Sequence, residues 1–206
     1  MYVKESHGGA EEQKLWEGTG GQRPTGWSSD GKLLMFVQIS AQGSDQLWVL
    51  PLGGKPEPYL QTSFSETQGQ FRPEGKGPPR WVAYTSNESG GQHEVFVQSF
   101  PPGSGKFRIS AAGGVQPRWR GDGQELFYIG GDGKLMAVDI KTSPRFEAGI
   151  PKPLFNPGIS GGGTTQFVFR YDVTADGKRF LVNSTQGTER ETAEPFSVVL
   201  NWWAKG

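Results

Sequence analysis

Residues 113–140 read Gly-Gly-Val-Gln-Pro-Arg-Trp-Arg-Gly-Asp-Gly-Gln-Glu-Leu-Phe-Tyr-Ile-Gly-Gly-Asp-Gly-Lys-Leu-Met-Ala-Val-Asp-Ile. Three short apolar runs are separated by two Asp-Gly pairs, at 122–123 and 132–133. Gly enters the left-handed backbone region without a Cβ clash, so Asp-Gly between apolar runs marks a hairpin turn. The stretch therefore predicts three antiparallel strands in a row.

Weaker copies of the same unit lie on both sides. Acidic-Gly pairs at 30–31, 74–75, 122–123 and 176–177 are spaced 44, 48 and 54 residues apart. Each has an apolar residue three positions earlier: Trp27, Phe71, Trp119 and Val173. A recurrence of about 40–50 residues carrying four strand-like runs is the pattern of β-propeller blades. A blade of this size cannot bury both faces alone and must stack on its neighbours. The reading is one all-β domain over residues 1–206, a small or partial propeller of four-stranded antiparallel blades. Its four blades fall at about 22–61, 66–110, 114–156 and 166–203. Residues 1–17 read as two strands of an incomplete blade, or as a latch that closes the ring onto the last blade through Lys14–Glu17. In the second copy Glu74 replaces Asp, and Lys76-Gly-Pro-Pro79 lengthens the hairpin.

Composition agrees with turns and strands. Gly and Pro number 32 and 15, which disfavours long helices, while seven Trp and 13 Phe supply large apolar area. The 21 basic and 21 acidic residues cancel, so charge gives no case for a nucleic-acid surface, and Arg118-Trp119-Arg120 is one triplet in a neutral chain. No apolar run approaches a membrane span. With no cysteine and two histidines, no spacing suggests a metal site, and none is expected.

Candidate chemistry is sparse. Gly158-Ile-Ser160-Gly-Gly162 matches a nucleophile elbow in letters, but that chemistry needs a strand-to-helix turn and a later histidine. Both histidines, His7 and His93, precede Ser160, and the following residues read as a strand. The Asp-Gly pairs lack the alternating oxygen ligands and closing Glu of a calcium loop. Gly105-Lys106 lacks the rest of a phosphate loop. No catalytic residue and no cofactor is expected. What remains is a set of polar residues just ahead of each turn, on the strand that would lie innermost: Arg23, Gln68, Gln70, Gln116, Arg118, Arg170 and Asp172. Innermost strands crowd toward the central channel, so these residues are the expected binding positions.

At Trp27-Ser-Ser-Asp-Gly, Phe71-Arg-Pro-Glu-Gly, Thr85-Ser-Asn-Glu-Ser-Gly90 and Pro117-Arg-Trp-Arg-Gly-Asp-Gly123 the chain resembles the WD40-like repeats of TolB-type propellers. Glu94-Val-Phe-Val-Gln-Ser-Phe-Pro and Gly113-Gly-Val-Gln-Pro-Arg-Trp look closer still to the C-terminal propellers of bacterial membrane serine/threonine kinases. The resemblance implies a non-enzymatic interaction or sensing domain with a protein or peptide partner, in a periplasmic or other extracytoplasmic location. A homodimer completing a larger ring is one expected form. The alternative is the accessory, substrate-gating propeller of a prolyl oligopeptidase-type serine peptidase, whose hydrolase domain this chain does not contain.

Overall fold

A computed structural model describes residues 1–5, 11–41, 43–90, 92–103, 105–159 and 168–184. Ser160, His7 and the strand expected within 196–202 lie outside the described residues. Every regular element described is a strand.

Blade I contains β3 (Gln22–Trp27), β4 (Leu33–Gln38), β5 (Gln46–Pro51) and β6 (Glu57–Pro58), paired in that order; β1 (Tyr2–Val3) and β2 (Gln13–Lys14) precede it. Blade II contains β7 (Glu66–Phe71), β8 (Trp81–Ser86), β9 (Glu94–Ser99) and β10 (Lys106–Arg108). Blade III follows with β11 (Gly114–Trp119), β12 (Glu125–Gly130) and β13 (Leu135–Lys141). Its outer edge is split between β14 (Glu147–Ala148) and β15 (Lys152–Phe155), which both pair with β13. Of blade IV the described strands are β16 (Tyr171–Val173) and β17 (Phe180–Val182). All pairings are antiparallel.

Alternation along each second strand decides what is buried where. In β4, Leu34 and Phe36 point to one face, and Met35 and Val37 to the other. The second pair joins Leu47, Val49 and Tyr59 against Phe71, Val82, Tyr84 and Phe96 of blade II. The opposite face of blade II, through Ala83, Val95 and Val97, meets Trp119, Leu126, Tyr128 and Val138 of blade III. Phe127, Ile129 and Ala137 then meet Tyr171, with Val173, Phe180 and Val182 packed alongside. Each fully enclosed side chain of this kind contributes about 1.5–3 kcal/mol. Stability therefore resides in the seams between blades.

In blades II, III and IV the apolar residue ahead of the acidic turn is the wedge of its seam. Phe71 and Trp119 are 6% and 8% exposed, driven into the blade before them. At the N-terminal end, Met1, Leu15 and Trp16 pack on Leu34, Phe36 and Leu50. Strand β2 pairs with β1, and among the described residues Met1, Leu15 and Trp16, which flank the pair, pack on blade I.

The acidic-Gly corners are three-residue turns followed by a left-handed glycine. At the third of them the Gly123 N–H donates to the Arg120 carbonyl at 2.8 Å and Gly123 has φ 67°. This is the type I turn with a glycine bulge, whose twist suits a hairpin. Aspartate precedes glycine because its carboxylate caps the turn's own backbone. Asp30, Asp122, Asp132 and Asp176 each accept through Oδ1 from the N–H two residues on, at 2.9–3.2 Å. In blade II the substituted Glu74 turns back instead, pairing with Arg72 at 2.7 Å and Arg80 at 2.9 Å. Arg72 in turn donates through Nε to the Gly123 carbonyl at 2.8 Å, tying the corner of blade III to blade II.

Candidate functional site on the innermost strands

The innermost strands β3, β7 and β11 each carry a bulge. Pairing shifts register between Pro24 and Gly26, between Thr67 and Gln70, and between Val115 and Arg118. Counting back from the wedge places Pro24, Gln68, Gln116 and Arg170 at one equivalent position, and Gly26, Gln70, Arg118 and Asp172 at another. Gln68 and Gln116 hold φ of 56° and 60°, a region unusual for a residue with a Cβ. A backbone kept there must be held by its surroundings.

Their amides show what holds them. Gln68 Oε1 accepts from the Thr85 hydroxyl at 2.9 Å and from the Gln116 N–H, one blade on, at 2.8 Å. Gln116 Oε1 accepts from the Arg170 N–H, again one blade on, at 2.7 Å, and the Gln116 carbonyl accepts from the Tyr171 hydroxyl at 2.8 Å. A bulge removes a backbone N–H from the sheet ladder, and a buried N–H without a partner is costly. Each left-handed glutamine caps the N–H freed in the next blade. With exposures of 1% and 0%, Gln68 and Gln116 lie inside the seams and not on an accessible channel surface. The bulge turns them inward, which is the physical reason they depart from the expected binding set.

The second row is more open. Gln70 donates through Nε2 to the Thr25 carbonyl of blade I and accepts through Oε1 from Arg118 Nη1 at 3.1 Å. Arg118 Nε lies 3.6 Å from Asp172 Oδ1, and its guanidinium stacks 3.7 Å above the Phe169 ring. The row runs unbroken from blade I to blade IV. Burial lowers the Arg118 pKa from its usual value, and the Asp172 charge opposes that shift. Gln70 and Arg118 are half-buried, whereas the Asp172 side chain is 65% exposed. Arg23 is exposed at the head of β3, in the same column of the repeat as Thr67, Val115 and Phe169. The structure thus links Gln70, Arg118 and Asp172 in one row, and Gln68, Gln116 and the Arg170 backbone in another. Phe169 was not singled out from the sequence, although the repeat column that flags Arg23 also contains it.

One buried acid stands apart from both rows. Glu66, at the start of β7, has no exposed surface; Thr62 donates to its Oε1 at 2.5 Å, and Oε2 has no partner among the described residues. Burial raises its pKa above the ordinary 4.5. A raised folded-state value means that Glu66 contributes stability fully below 4.5 and loses that contribution as pH rises through the folded value. E66Q keeps the accepting oxygen and removes the charge. It is expected to unfold at higher urea than the parent at pH 7.5 and at the same urea at pH 4. Equal midpoints at both pH values would refute this. Among the described residues, no group of three or more His, Asp or Glu could hold a metal ion.

No family model and no curated protein matches the chain. Solved structures do. A putative TolB from Agrobacterium tumefaciens is similar at 19% identity and TM-score 0.61, over 87% of this chain and 62% of that one. TolB from Acinetobacter baumannii is similar at 16% identity and TM-score 0.58, over 87% and 42%. The fold is a β-propeller. An oligogalacturonate lyase in complex with manganese shares it at 13% identity and TM-score 0.53, over 85% and 50% of the two chains. At such identities the likeness is one of propeller architecture. The propeller described here spans 42–62% of the length of these three structures.

Proposed function

We propose that this propeller is a non-catalytic interaction or sensing unit, extracytoplasmic as the TolB-type resemblance suggests, that binds a protein or peptide along its innermost strands. The observation carrying the reading is the continuous row Gln70–Arg118–Asp172, seated on the Thr25 carbonyl and backed by Phe169. It offers an amide, a guanidinium and a carboxylate at fixed spacing, already desolvated in part. Such groups match the carbonyls, amides and carboxylates of an extended peptide. The row belongs to the site and not to the fold, so it carries more weight than the architecture.

The test uses a phage-displayed random peptide library selected on the immobilised chain. Selected peptides are then titrated by calorimetry against the parent and R118A. Removing a charge-assisted hydrogen bond at a binding site typically costs about 1.4 kcal/mol or more, a tenfold loss. We expect at least that for R118A, with the melting transition still cooperative. Peptides that bind both proteins equally would place the recognition surface elsewhere.

A further inference from the structure

At one end of the seam between blades II and III lies a cavity that the two rows on the innermost strands do not reach. Its volume is about 360 Å³, within the ~300–1,000 Å³ of small-ligand sites, and the linker ahead of β11 faces β12, β13 and β15 across it. The walls are apolar side chains and backbone: Ala112 on the linker, Met136 on β13, and Pro151 and Pro153 at the outer edge. Lys152, between the two prolines, points to the opposite face and pairs with Asp139 at 3.0 Å. The inner wall is backbone against backbone. The Gly131 N–H donates to the Gly113 carbonyl at 3.1 Å, and a Cβ on Gly131 would lie 2.2 Å from the Ala112 carbonyl oxygen. The cavity is therefore pre-formed and not easily closed.

Its polar groups carry an excess of negative charge. Tyr128 of β12 lines the cavity and is 3% exposed, yet its hydroxyl has no partner among the described residues. A buried tyrosine hydroxyl ordinarily finds one. Asp132, on the rim, accepts through Oδ1 from the Lys134 N–H at 3.1 Å and through Oδ2 from the Lys134 ammonium at 2.8 Å. Glu94 is buried one hydrogen bond behind the wall, accepting from the Gly113 N–H at 3.1 Å. Burial, and then the charges of Glu94 and Asp132, push the Tyr128 pKa up to about 12. Both carboxylates thus act on the unpartnered hydroxyl. The ammonium opposing them belongs to a half-exposed side chain in a surface ion pair, an interaction weak enough to exchange.

We propose that this cavity takes the lysine side chain of a protein or peptide partner. The four-carbon stem lies along Met136 and the two prolines, as lysine stems do on apolar surface. The ammonium donates to the Tyr128 hydroxyl oxygen and to the Asp132 carboxylate, displacing Lys134. Lys134 itself shows that this carboxylate receives an ammonium. An anion is disfavoured, because the cation on the rim is already paired and Glu94 lies behind the wall. An uncharged alkyl group would fill the volume and leave the tyrosine hydroxyl as it stands.

Nuclear magnetic resonance on the full chain tests this, read at the amide signals of Gly113, Gly130 and Gly131. The probe is N-acetyl-lysine methylamide, compared with its norleucine counterpart, which keeps the stem and lacks the ammonium, and with n-pentylamine, a free amine. The lysine probe is expected to shift these signals saturably and the norleucine probe to leave them unmoved. Y128F removes the hydroxyl and leaves no protein group unpaired, so it should keep the parent's melt and bind about 2- to 10-fold more weakly. D132N keeps the Oδ1 acceptor that caps its turn and should lose about tenfold or more. K134A removes the internal competitor and should bind about two- to fivefold more tightly.

The K134A arm is the sharpest, since a merely structural role for the exposed Lys134 predicts no gain in affinity. Absence of a saturable shift, equal binding of the norleucine probe, Y128F and D132N that bind as the parent does, or a K134A that binds no better would each overturn the proposal. So would n-pentylamine binding where the lysine probe does not, which would assign the cavity to free amines. The proposal does not rest on the row through Gln70, Arg118 and Asp172, none of which lines this cavity. R118A and the selected peptides therefore stand or fall separately.

Discussion

Replacing Trp119 with alanine is expected to lower stability by about 3–5 kcal/mol, the range for deleting a buried aromatic side chain. In a chain of 206 residues that corresponds to roughly 6–20 °C in melting temperature, at about 2–4 °C per kcal/mol. Trp119 is 8% exposed, fills the seam between blades II and III, and donates its indole N–H to the Gln70 carbonyl. Alanine would leave a cavity bordered by Ala83, Leu126 and Val138, which the two sheets cannot close without shifting relative to one another. W119F separates the two contributions. Phenylalanine serves as the wedge at Phe71, so W119F should cost much less, about 1–1.5 kcal/mol, for the lost hydrogen bond and part of the volume. Thermal unfolding followed by circular dichroism reads both. If W119A melted within 2 °C of the parent, about the effect of 1 kcal/mol or less, the seams would not be the seat of stability.

The second large effect is expected at Gln68. Q68M keeps the length and volume of the side chain and removes its acceptor, leaving the Thr85 hydroxyl and the Gln116 N–H without their shared partner. Both residues have 0% exposure. At about 1–3 kcal/mol for each buried unsatisfied donor, the loss should be roughly 2–6 kcal/mol. Q68N distinguishes hydrogen bonding from backbone strain. Asparagine tolerates the left-handed conformation well but is one methylene short, so it should also destabilise the chain if the amide's reach matters. Urea unfolding checks both. A stable Q68N beside a destabilised Q68M would shift the explanation from reach to backbone preference.

The two sites differ in how far the sequence reveals them. Trp119 is legible because its cue is local: an aromatic three residues ahead of an acidic-Gly corner, repeated at a spacing only stacked blades explain. Corners are set by their own residues, as the aspartates capping their own turns show. Gln68 is not legible in that way. In sequence it is a polar residue on an innermost strand and reads as accessible. Its burial depends on a bulge, and the bulge on an N–H in a blade 48 residues away. No propensity marks glutamine for a left-handed backbone, so only the three-dimensional register exposes the role. The row through Gln70, Arg118 and Asp172 falls between these cases. Its members stand out by position and charge, whereas the stacking of Phe169 beneath the guanidinium required the structure.

The alternation of glutamine, glutamine and arginine against proline along the bulges also gives the blades an order. Gln68 and Gln116 fit any successor that has a free N–H, so units II and III could in principle be exchanged or duplicated without breaking the hydrogen-bond grammar. Unit I could not follow either of them: its proline would face a glutamine with nothing to give. Lengthening the array should therefore succeed by insertion between II and III, and fail where unit I is moved inward.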